Sequence, residues 1–248
     1  MLNSKKIYLL ALFGLLITAC GGATPNANTK ADIPTADPDL GYEIVSFTTS
    51  DDRKLGGRIY PGGENAVILA HMLGTGANQR NWSFFAETLA AKGYTVLTFD
   101  FRGMGTSQKT PTREINLVYL DSVAAVNYLE VQGFEKIVCI GGSMGGAACL
   151  RAGLEVDIAG VVSLSAPMSM GAPTELTEEN LPMLSERKLF VVAENDGSFA
   201  LDAKRMYDLS PEPKEIQVYT GSAHGINLLK SPHKDELEQL IFDFLAEM

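Results

Sequence analysis

One serine stands in a setting that suits a nucleophile. Residues 141–145 read Gly-Gly-Ser-Met-Gly, which matches the pattern Gly-x-Ser-x-Gly with Ser143 at its centre. In such a turn between a strand and a helix, the backbone lifts the serine hydroxyl above the edge of a sheet. Gly141 and Gly145 fit because a side chain there would collide with the closely passing strand and helix. The other interpretation is a glycine-rich turn with a passive serine. A phosphate-binding loop is excluded because no Lys-Ser/Thr pair follows.

A serine hydroxyl needs a neighbouring base to remove its proton, so a histidine is required. The chain has three, His71, His224 and His233. We assign His224 as the base, because it lies in a loop of small residues directly after the last apolar run. A buried structural histidine is the alternative for this residue. His71 ends an earlier apolar run ahead of a glycine-bearing loop, and we expect His233, at the start of the last helix, to be solvated.

The histidine in turn needs a carboxylate that fixes its tautomer and stabilises the imidazolium. Glu194 and Asp196 both follow the apolar run at residues 189–193. We choose Asp196, which lies two residues further into the loop, and Glu194 remains its rival.

The elements that must position these residues alternate between strand and helix. Residues 43–49 and 54–60 predict an antiparallel hairpin around a turn at 51–53. Short apolar runs typical of strands buried on both faces follow at 66–70, 95–99, 136–140, 161–164, 189–193 and 216–219. Helical patterns lie between them, at 82–92 with Asn81 as its cap, 112–132, 143–152, 201–209 and 233–246. We predict a mostly parallel, doubly wound α/β sheet with its site at the carboxyl ends of the strands.

The sequence resembles the α/β-hydrolase superfamily over residues 43–248. It is most similar to small bacterial members without a large cap domain, the dienelactone-hydrolase-like and serine-aminopeptidase-like groups. The resemblance rests on five runs: Ala-His-Met-Leu-Gly at 70–74, Asp-Phe-Arg-Gly-Met-Gly-Thr-Ser at 100–107, the serine turn at 141–146, Glu-Asn-Asp at 194–196 and Gly-Ser-Ala-His-Gly at 221–225. The order Ser143, Asp196, His224 is also the order of that fold.

The resemblance implies an oxyanion hole made by the backbone N–H groups of Leu73 and Met144. The family usually has His-Gly where this chain has His71-Met72, so we expect a differently shaped oxyanion loop. Asp100 and Arg102 are expected to hold their loop together rather than to perform chemistry, and Asp121 is expected to be a solvated or salt-bridged residue on the surface. Five methionines lie in or near these loops: Met72, Met104, Met144, Met168 and Met170. We expect them either to line an acyl pocket or to fill the core.

The reaction that the resemblance implies is hydrolysis of a carboxylic ester on a small substrate through an acyl-enzyme. Peptidase and thioesterase activity are alternatives on the same triad. A non-catalytic, membrane-tethered binding protein is an alternative of another class, and a complete triad argues against it. Only residues 165–187 separate two predicted strands at the usual position of a cap. They allow one short helix, at 175–184, so we expect an open cleft rimmed by Met168 and Met170 that favours short acyl chains.

Composition excludes several classes of site and partner. With 30 acidic and 20 basic residues, a formal charge of −10 argues against nucleic acid as a partner. No cluster of histidines and carboxylates has metal-ligand spacing, so we predict neither metal nor cofactor. The chain has three cysteines. Export would allow Cys139 and Cys149 to pair, but we expect buried free thiols.

The first 41 residues are predicted to lie outside the folded domain. Lys5 and Lys6 precede an apolar run at 7–19, which is shorter than the roughly 20 residues that a spanning helix needs. The run ends in Ile-Thr-Ala-Cys, which resembles the bacterial lipobox before a lipidated cysteine. We therefore predict a signal peptide at 1–19, a lipid anchor on Cys20, a flexible tether to residue 41 and a hydrolase domain at 42–248. This organisation implies an exported protein on a membrane of the cell envelope, the outer membrane or cell surface. An ordinary signal peptide with an incidental cysteine is the alternative.

Overall fold

The structure, a computed structural model, describes residues 41–247. The predicted signal peptide, Cys20 and nearly all of the predicted tether lie outside these residues. Eight strands form one sheet: β1 (Glu43–Thr48), β2 (Lys54–Tyr60), β3 (Ala66–Ala70), β4 (Thr95–Phe99), β5 (Ile137–Gly142), β6 (Gly160–Leu164), β7 (Arg187–Ala193) and β8 (Lys214–Tyr219). Five α-helices accompany it: α1 (Ser83–Ala91), α2 (Val118–Val131), α3 (Met144–Ala152), α4 (Ser198–Leu209) and α5 (Lys234–Ala246).

The strand order is β1-β2-β4-β3-β5-β6-β7-β8. β1 pairs with β2, and β2 with β4, in antiparallel register. All pairs from β4 to β8 are parallel, so the carboxyl ends of six strands meet at one edge of the sheet. The predicted α/β-hydrolase sheet with its N-terminal antiparallel hairpin is therefore confirmed.

Helices cover both faces of the sheet, which explains the near-continuous apolar runs. Every residue of β3, β4, β5 and β6 is buried. Side chains of α2, α3 and α4 pack in one hydrophobic cluster, and those of α1 and α5 in a second cluster. β1 alternates instead between buried and exposed residues. Within the described residues, no helix combines the length and the hydropathy that a membrane span requires.

Several predicted helices differ from the observed ones. The helix predicted at 112–132 begins at Val118, after a 3₁₀ turn at Ile115–Leu117, and the one predicted at 201–209 begins at Ser198. Asn81 does not cap α1. A 3₁₀ turn at Gln79–Trp82 precedes that helix, and Asn78 caps the turn by accepting from the backbone N–H of Arg80. The helix expected at 175–184 is reduced to a 3₁₀ turn at Leu181–Met183. The Asn180 side chain bonds the backbone of Glu175 and of Thr177, which competes with helical hydrogen bonding.

The expectation that Cys139 and Cys149 are free thiols is wrong, because the two form a disulfide. Their Cα atoms lie 5.6 Å apart, within the range that a disulfide spans. Cys139 belongs to β5 and Cys149 to α3, so the bridge joins the two elements on either side of Ser143. Sequence spacing does not show how closely this helix packs on this strand, which is the reason for the error.

Asp121 forms a salt bridge with Arg102, one of its two predicted states, but the expectation that it lies on the surface is wrong. Its side chain is fully buried and accepts hydrogen bonds from the backbone N–H of Arg102 (2.7 Å) and from the guanidinium Nε of Arg102 (2.8 Å). Burial raises the pKa of Asp121 to about 6, although the Arg102 guanidinium opposes this shift. Arg102 also pairs with Asp51, at 2.8 Å. A partner 19 residues away compensates the buried charge, and the helical pattern around Asp121 carries no sign of it.

Candidate active site

Ser143 lies in a sharp turn between the carboxyl end of β5 and the first residue of α3. Its backbone has φ 50° and ψ −116°, a conformation that is costly for a residue with a side chain. The Ser143 N–H donates to the carbonyl of Leu164 (2.8 Å), and its carbonyl accepts from the N–H of Ala147 (3.1 Å). Neighbouring elements thus hold the turn in the strained form that presents a serine hydroxyl at the sheet edge.

Close backbone packing around this turn requires two of its glycines. A Cβ on Gly141 would lie 2.2 Å from the carbonyl carbon of Gly145. A Cβ on Gly145 would lie 2.2 Å from the carbonyl oxygen of Ala70, at the end of β3. The collisions predicted for Gly141 and Gly145 are confirmed. The same approach brings the loop that follows Ala70 next to the N-terminus of α3.

The structure brings His224 and Asp196 together. The Nδ1 atom of His224 lies 3.0 Å from Oδ1 and 2.9 Å from Oδ2 of Asp196. Since a carboxylate accepts, this contact holds the proton on Nδ1 and leaves the lone pair on Nε2. Glu194, the rival carboxylate, is exposed and accepts instead from the Asn195 side chain (3.2 Å). The geometry therefore favours Asp196 over Glu194.

The loop that carries His224 packs directly on the serine turn. A Cβ on Gly225 would lie 3.5 Å from the Ser143 nitrogen, and one on Gly142 would lie 3.1 Å from the Ile226 nitrogen. Among residues 41–247, the Ser143 hydroxyl makes no hydrogen bond with the imidazole. Such bonds are often long in unliganded sites and tighten only when substrate binds.

Phe199 contributes a contact that the sequence did not indicate. The centroid of its ring lies 4.2 Å from that of the His224 imidazole. Phe199 is the second residue of α4, three positions after Asp196, so one turn delivers both the carboxylate and the ring to the same histidine. The only available signal was an aromatic residue close behind the candidate acid.

The two remaining histidines do not join this group. His71 is fully buried, and its ring bonds two backbone groups, the Met72 carbonyl at Nδ1 (2.8 Å) and the Phe101 N–H at Nε2 (3.2 Å). Burial lowers the pKa of His71, against the opposing effects of Met72 and Asp100, which favours the neutral ring that these two bonds require. His233 bonds the Thr220 hydroxyl, and about a quarter of its side chain is exposed, so it is less solvated than expected.

The two backbone N–H groups assigned to an oxyanion hole come from different parts of the fold, one from a loop and one from a helix. Leu73 follows β3, and Met144 is the first residue of α3. Within the described part of the chain, neither N–H donates a hydrogen bond to another residue. His71 positions the loop of Leu73 through its bond to Phe101, beyond the end of β4.

The loop after β4 is held by buried polar contacts, as expected for Asp100 and Arg102. Asp100 accepts from the backbone N–H of Gln79 (2.8 Å), the Gln79 side chain (2.9 Å) and the backbone N–H of Thr106 (2.8 Å). Burial alone would raise the pKa of Asp100, but these hydrogen bonds hold it below its usual value. Asp100 is therefore charged and structural.

No group of three histidine, cysteine or carboxylate side chains within residues 41–247 is arranged to hold a metal ion. The chemistry available in the described residues is that of a serine hydroxyl, an oriented imidazole and two free backbone donors.

Comparison with known proteins agrees with this fold. A family model described as alpha/beta hydrolase fold matches residues 65–215. The chain belongs to this family. A carboxylesterase of Bacillus subtilis (strain 168) is 26% identical to this α/β hydrolase over 189 residues, which cover 74% of this chain and 66% of the relative. The chain thus spans just under two thirds of that relative's length.

Solved structures show the same fold. An esterase from Pyrococcus furiosus is similar with a TM-score of 0.71 and 22% identity, covering 83% of this α/β hydrolase and 91% of the esterase. A thermophilic esterase from Thermogutta terrifontis is similar with a TM-score of 0.65 and 18% identity, covering 83% and 98% of the two chains. At these identities the likeness concerns the architecture.

Proposed function

We propose that this α/β hydrolase cleaves carboxylic esters of small substrates through a serine acyl-enzyme. Ser143 is the nucleophile, His224 the general base and then the general acid, and Asp196 the residue that orients the histidine. The observation that carries the proposal is the Asp196–His224 hydrogen bond, formed on a loop that packs against the Ser143 turn. A binding module has no need for that arrangement.

The reaction follows from the oriented imidazole. Because Asp196 holds the proton on Nδ1, Nε2 of His224 can take the proton of the Ser143 hydroxyl as the oxygen attacks the ester carbonyl. The imidazolium that forms is stabilised by the buried carboxylate and returns its proton to the departing alcohol. Water then attacks the acyl-enzyme with the same histidine as base, which releases the acid and restores Ser143.

The backbone N–H groups of Leu73 and Met144, which donate to no other group within residues 41–247, can stabilise the tetrahedral oxyanion. The N–H of Met144 lies at the N-terminus of α3, where the helix dipole also favours negative charge. Met72 replaces the glycine usual at its position, and its sulfur lies 3.6 Å from the position of a Cβ on Gly225, next to Ser143. Met72 thus narrows the space between the oxyanion loop and the histidine loop.

The similar proteins are the reason for proposing ester cleavage rather than peptide or thioester cleavage. A carboxylesterase is among the similar sequences, and esterases are among the similar folds. Peptidase and thioesterase activity use the same triad and become outcomes of the test.

The test is hydrolysis of three matched substrates, 4-nitrophenyl butyrate, a butyryl thioester and an aminoacyl 4-nitroanilide, by the wild type and by Ser143→Ala. We expect the ester to have the highest kcat/KM, and Ser143→Ala to lower kcat on it by several orders of magnitude, because members of a triad act as one unit. Preference for the anilide or thioester would reassign the substrate. Equal ester turnover by Ser143→Ala would refute the mechanism.

We also propose that the protein is an exported lipoprotein, anchored to a membrane of the cell envelope through Cys20. This rests on the basic start, the short apolar run and the Ile-Thr-Ala-Cys sequence of residues 17–20. A Cys139–Cys149 disulfide fits an oxidising compartment outside the cytosol. The intact mass of the processed protein tests the proposal. It should correspond to a chain that begins at Cys20 and carries lipid. A different first residue, or an unmodified Cys20, would contradict it.

A further inference from the structure

A cleft of about 360 Å³ opens beside the loop that carries Leu73. One wall is formed by residues 73–78 and the other by residues 102–113, the segment that follows β4. The lining contains three cationic residues, Arg102, Lys109 and Arg113, and no aspartate or glutamate. The chain as a whole is acidic, with 30 acidic and 20 basic residues. A cleft whose charged lining residues are all positive therefore differs from the rest of the protein surface in its expected electrostatic potential.

Two of the three cations are free to bind an anion. The Arg102 guanidinium is fully buried and engaged by Asp51 and Asp121. Lys109 and Arg113 are exposed, and neither forms an ion pair within residues 41–247. The Lys109 ammonium donates one hydrogen bond, to the Gly105 carbonyl (2.9 Å), which holds it at the cleft wall and leaves two of its donors available.

The nearest acid along the chain does not compensate Arg113. Glu114 pairs with Arg53 at 3.0 Å and also lies 3.5 Å from the Arg102 guanidinium. Its charge is therefore shared between two other arginines, and the positive charge of Arg113 has no counterpart from its own loop.

Backbone donors lie on the other wall, which residues 73–78 form. Gly74 and Gly76 line the cleft, and within the described residues the N–H of neither donates a hydrogen bond. Unpaired N–H groups and cationic side chains that line the same cleft make a concavity that suits anion oxygens. Leu73, the neighbouring residue, is shared with the assigned oxyanion hole.

We propose that this cleft binds a carboxylate carried by the ester substrate, through Lys109 and Arg113. The inference rests on the proposed function, since Leu73 belongs to both places and a substrate whose carbonyl oxygen contacts the Leu73 N–H can extend into the cleft. The substrate class is then an ester with a free carboxylate in its acyl or its alcohol part. An arginine and a lysine together suit a carboxylate, the arginine by two parallel hydrogen bonds and the lysine as a point charge.

Two pairs of esters test the proposal, each matched in length and differing in charge. The acyl pair is the 4-nitrophenyl monoester of adipic acid and 4-nitrophenyl hexanoate. The alcohol pair is 4-carboxyphenyl acetate and 4-carbamoylphenyl acetate. In each pair the measured quantity is the ratio of kcat/KM for the anionic ester to kcat/KM for the neutral one. The ratio cancels any general loss of activity or of folded protein.

We expect this ratio to fall about tenfold in the double variant Lys109→Met/Arg113→Met for at least one pair, mainly because KM for the anionic ester rises. In the wild type, the same ratio should fall as the salt concentration is raised. The matched control is Lys136→Met, which removes one exposed positive charge just before β5, at the opposite edge of the sheet. Its ratio should stay that of the wild type.

A ratio unchanged in the double variant for both pairs, or lowered equally in Lys136→Met, would overturn the carboxylate site and leave the proposed function standing. Turnover of none of the four esters would contradict the proposed function, and the carboxylate site with it.

Discussion

The contact between Asp196 and His224 determines which nitrogen of the imidazole carries the proton. The carboxylate is buried and lies within 3.0 Å of Nδ1 through both oxygens. An amide at this position presents an N–H as well as a carbonyl, so it can hold the wrong tautomer. The acid is therefore distinguishable from Glu194 by an isosteric change.

We expect Asp196→Asn to lower kcat by about 10³–10⁴-fold and Glu194→Gln to change it less than about threefold. Glu194 is exposed, and within residues 41–247 its carboxylate accepts a hydrogen bond only from the neighbouring Asn195 side chain, which makes it the matched control. Steady-state kinetics on a short ester, with the thermal midpoint of each variant as a check on folding, gives the ranking. The reverse ranking would transfer the role of the acid to Glu194.

Gly145 is one of two glycines, with Gly141, whose lack of a side chain permits the close backbone packing of the serine turn. We expect Gly145→Ala to destabilise the fold by about 1–3 kcal/mol, because its Cβ would lie 2.2 Å from the Ala70 carbonyl oxygen. Gly74→Ala is the control, since its Cβ meets nothing closer than 3.7 Å. Urea unfolding measures both. A Gly145→Ala protein as stable as Gly74→Ala would contradict the packing described here.

At the scale of single residues, the sequence indicates candidates where a spacing rule constrains them. Ser143 is marked by its glycines, and Asp196 and His224 by their positions after apolar runs. Phe199 and the buried Asp121–Arg102 pair depend on contacts between elements, and no local pattern carries that information. Whether Cys139 and Cys149 form a disulfide depends on the distance between β5 and α3, which is likewise a property of packing.

At the scale of elements, the candidate active site lies at the turn between the end of β5 and the start of α3. Gly141 and Gly145 allow the helix to pack against its strand, and the disulfide between Cys139 and Cys149 links the two across ten positions of sequence. Both cysteines are fully buried. The strand, the serine turn and the helix therefore form one constrained unit.

Removing the disulfide should destabilise the protein by about 3 kcal/mol, the cost expected for releasing a short closed loop. The double variant Cys139→Ala/Cys149→Ala and the reduced wild type should unfold at similar denaturant concentrations, both below the oxidised wild type. Peptide mapping without reductant should recover the two cysteines as one cross-linked species. Recovery of the two peptides as free thiols would show that the bridge is absent.

The bounds of the buried strands could be predicted from the sequence more accurately than the first residues of the helices. Burial on both faces produces apolar runs that identify β3 and β4 to the residue. Helix starts depend instead on capping side chains such as Asn78 and on tertiary contacts. The segment at 165–186 does not form its predicted helix, because Asn180 bonds the local backbone.

At the scale of the whole molecule, no helical lid covers the site from the segment between β6 and β7. Residues 165–186 contain one isolated bridge, between Ser169 and Glu175, and one 3₁₀ turn. Met168 and Met170 in this segment pack partly buried against the core, and the Met168 N–H donates to Asp202 of α4. Residues 165–186 are thus packed against the surface of the domain at Met168 and Met170.

An uncapped site buries little of a long acyl chain, and each CH₂ left in water forgoes about 0.8 kcal/mol of binding. We therefore expect kcat/KM to be highest for 4-nitrophenyl esters of about two to six carbons, without activation at a lipid interface. A series of rising chain length measures this. A maximum at about twelve carbons or more would mean that a deep acyl tunnel exists.

We propose that Ser143 forms a covalent acyl-type intermediate with the help of His224. The most direct test is labelling by a fluorophosphonate, followed by mass spectrometry of the digested protein. Wild type should carry one adduct, on Ser143, and Ser143→Ala and His224→Ala should carry none, whereas His233→Ala should be labelled at the rate of the wild type. An adduct on another residue, or full labelling of Ser143→Ala, would contradict the account.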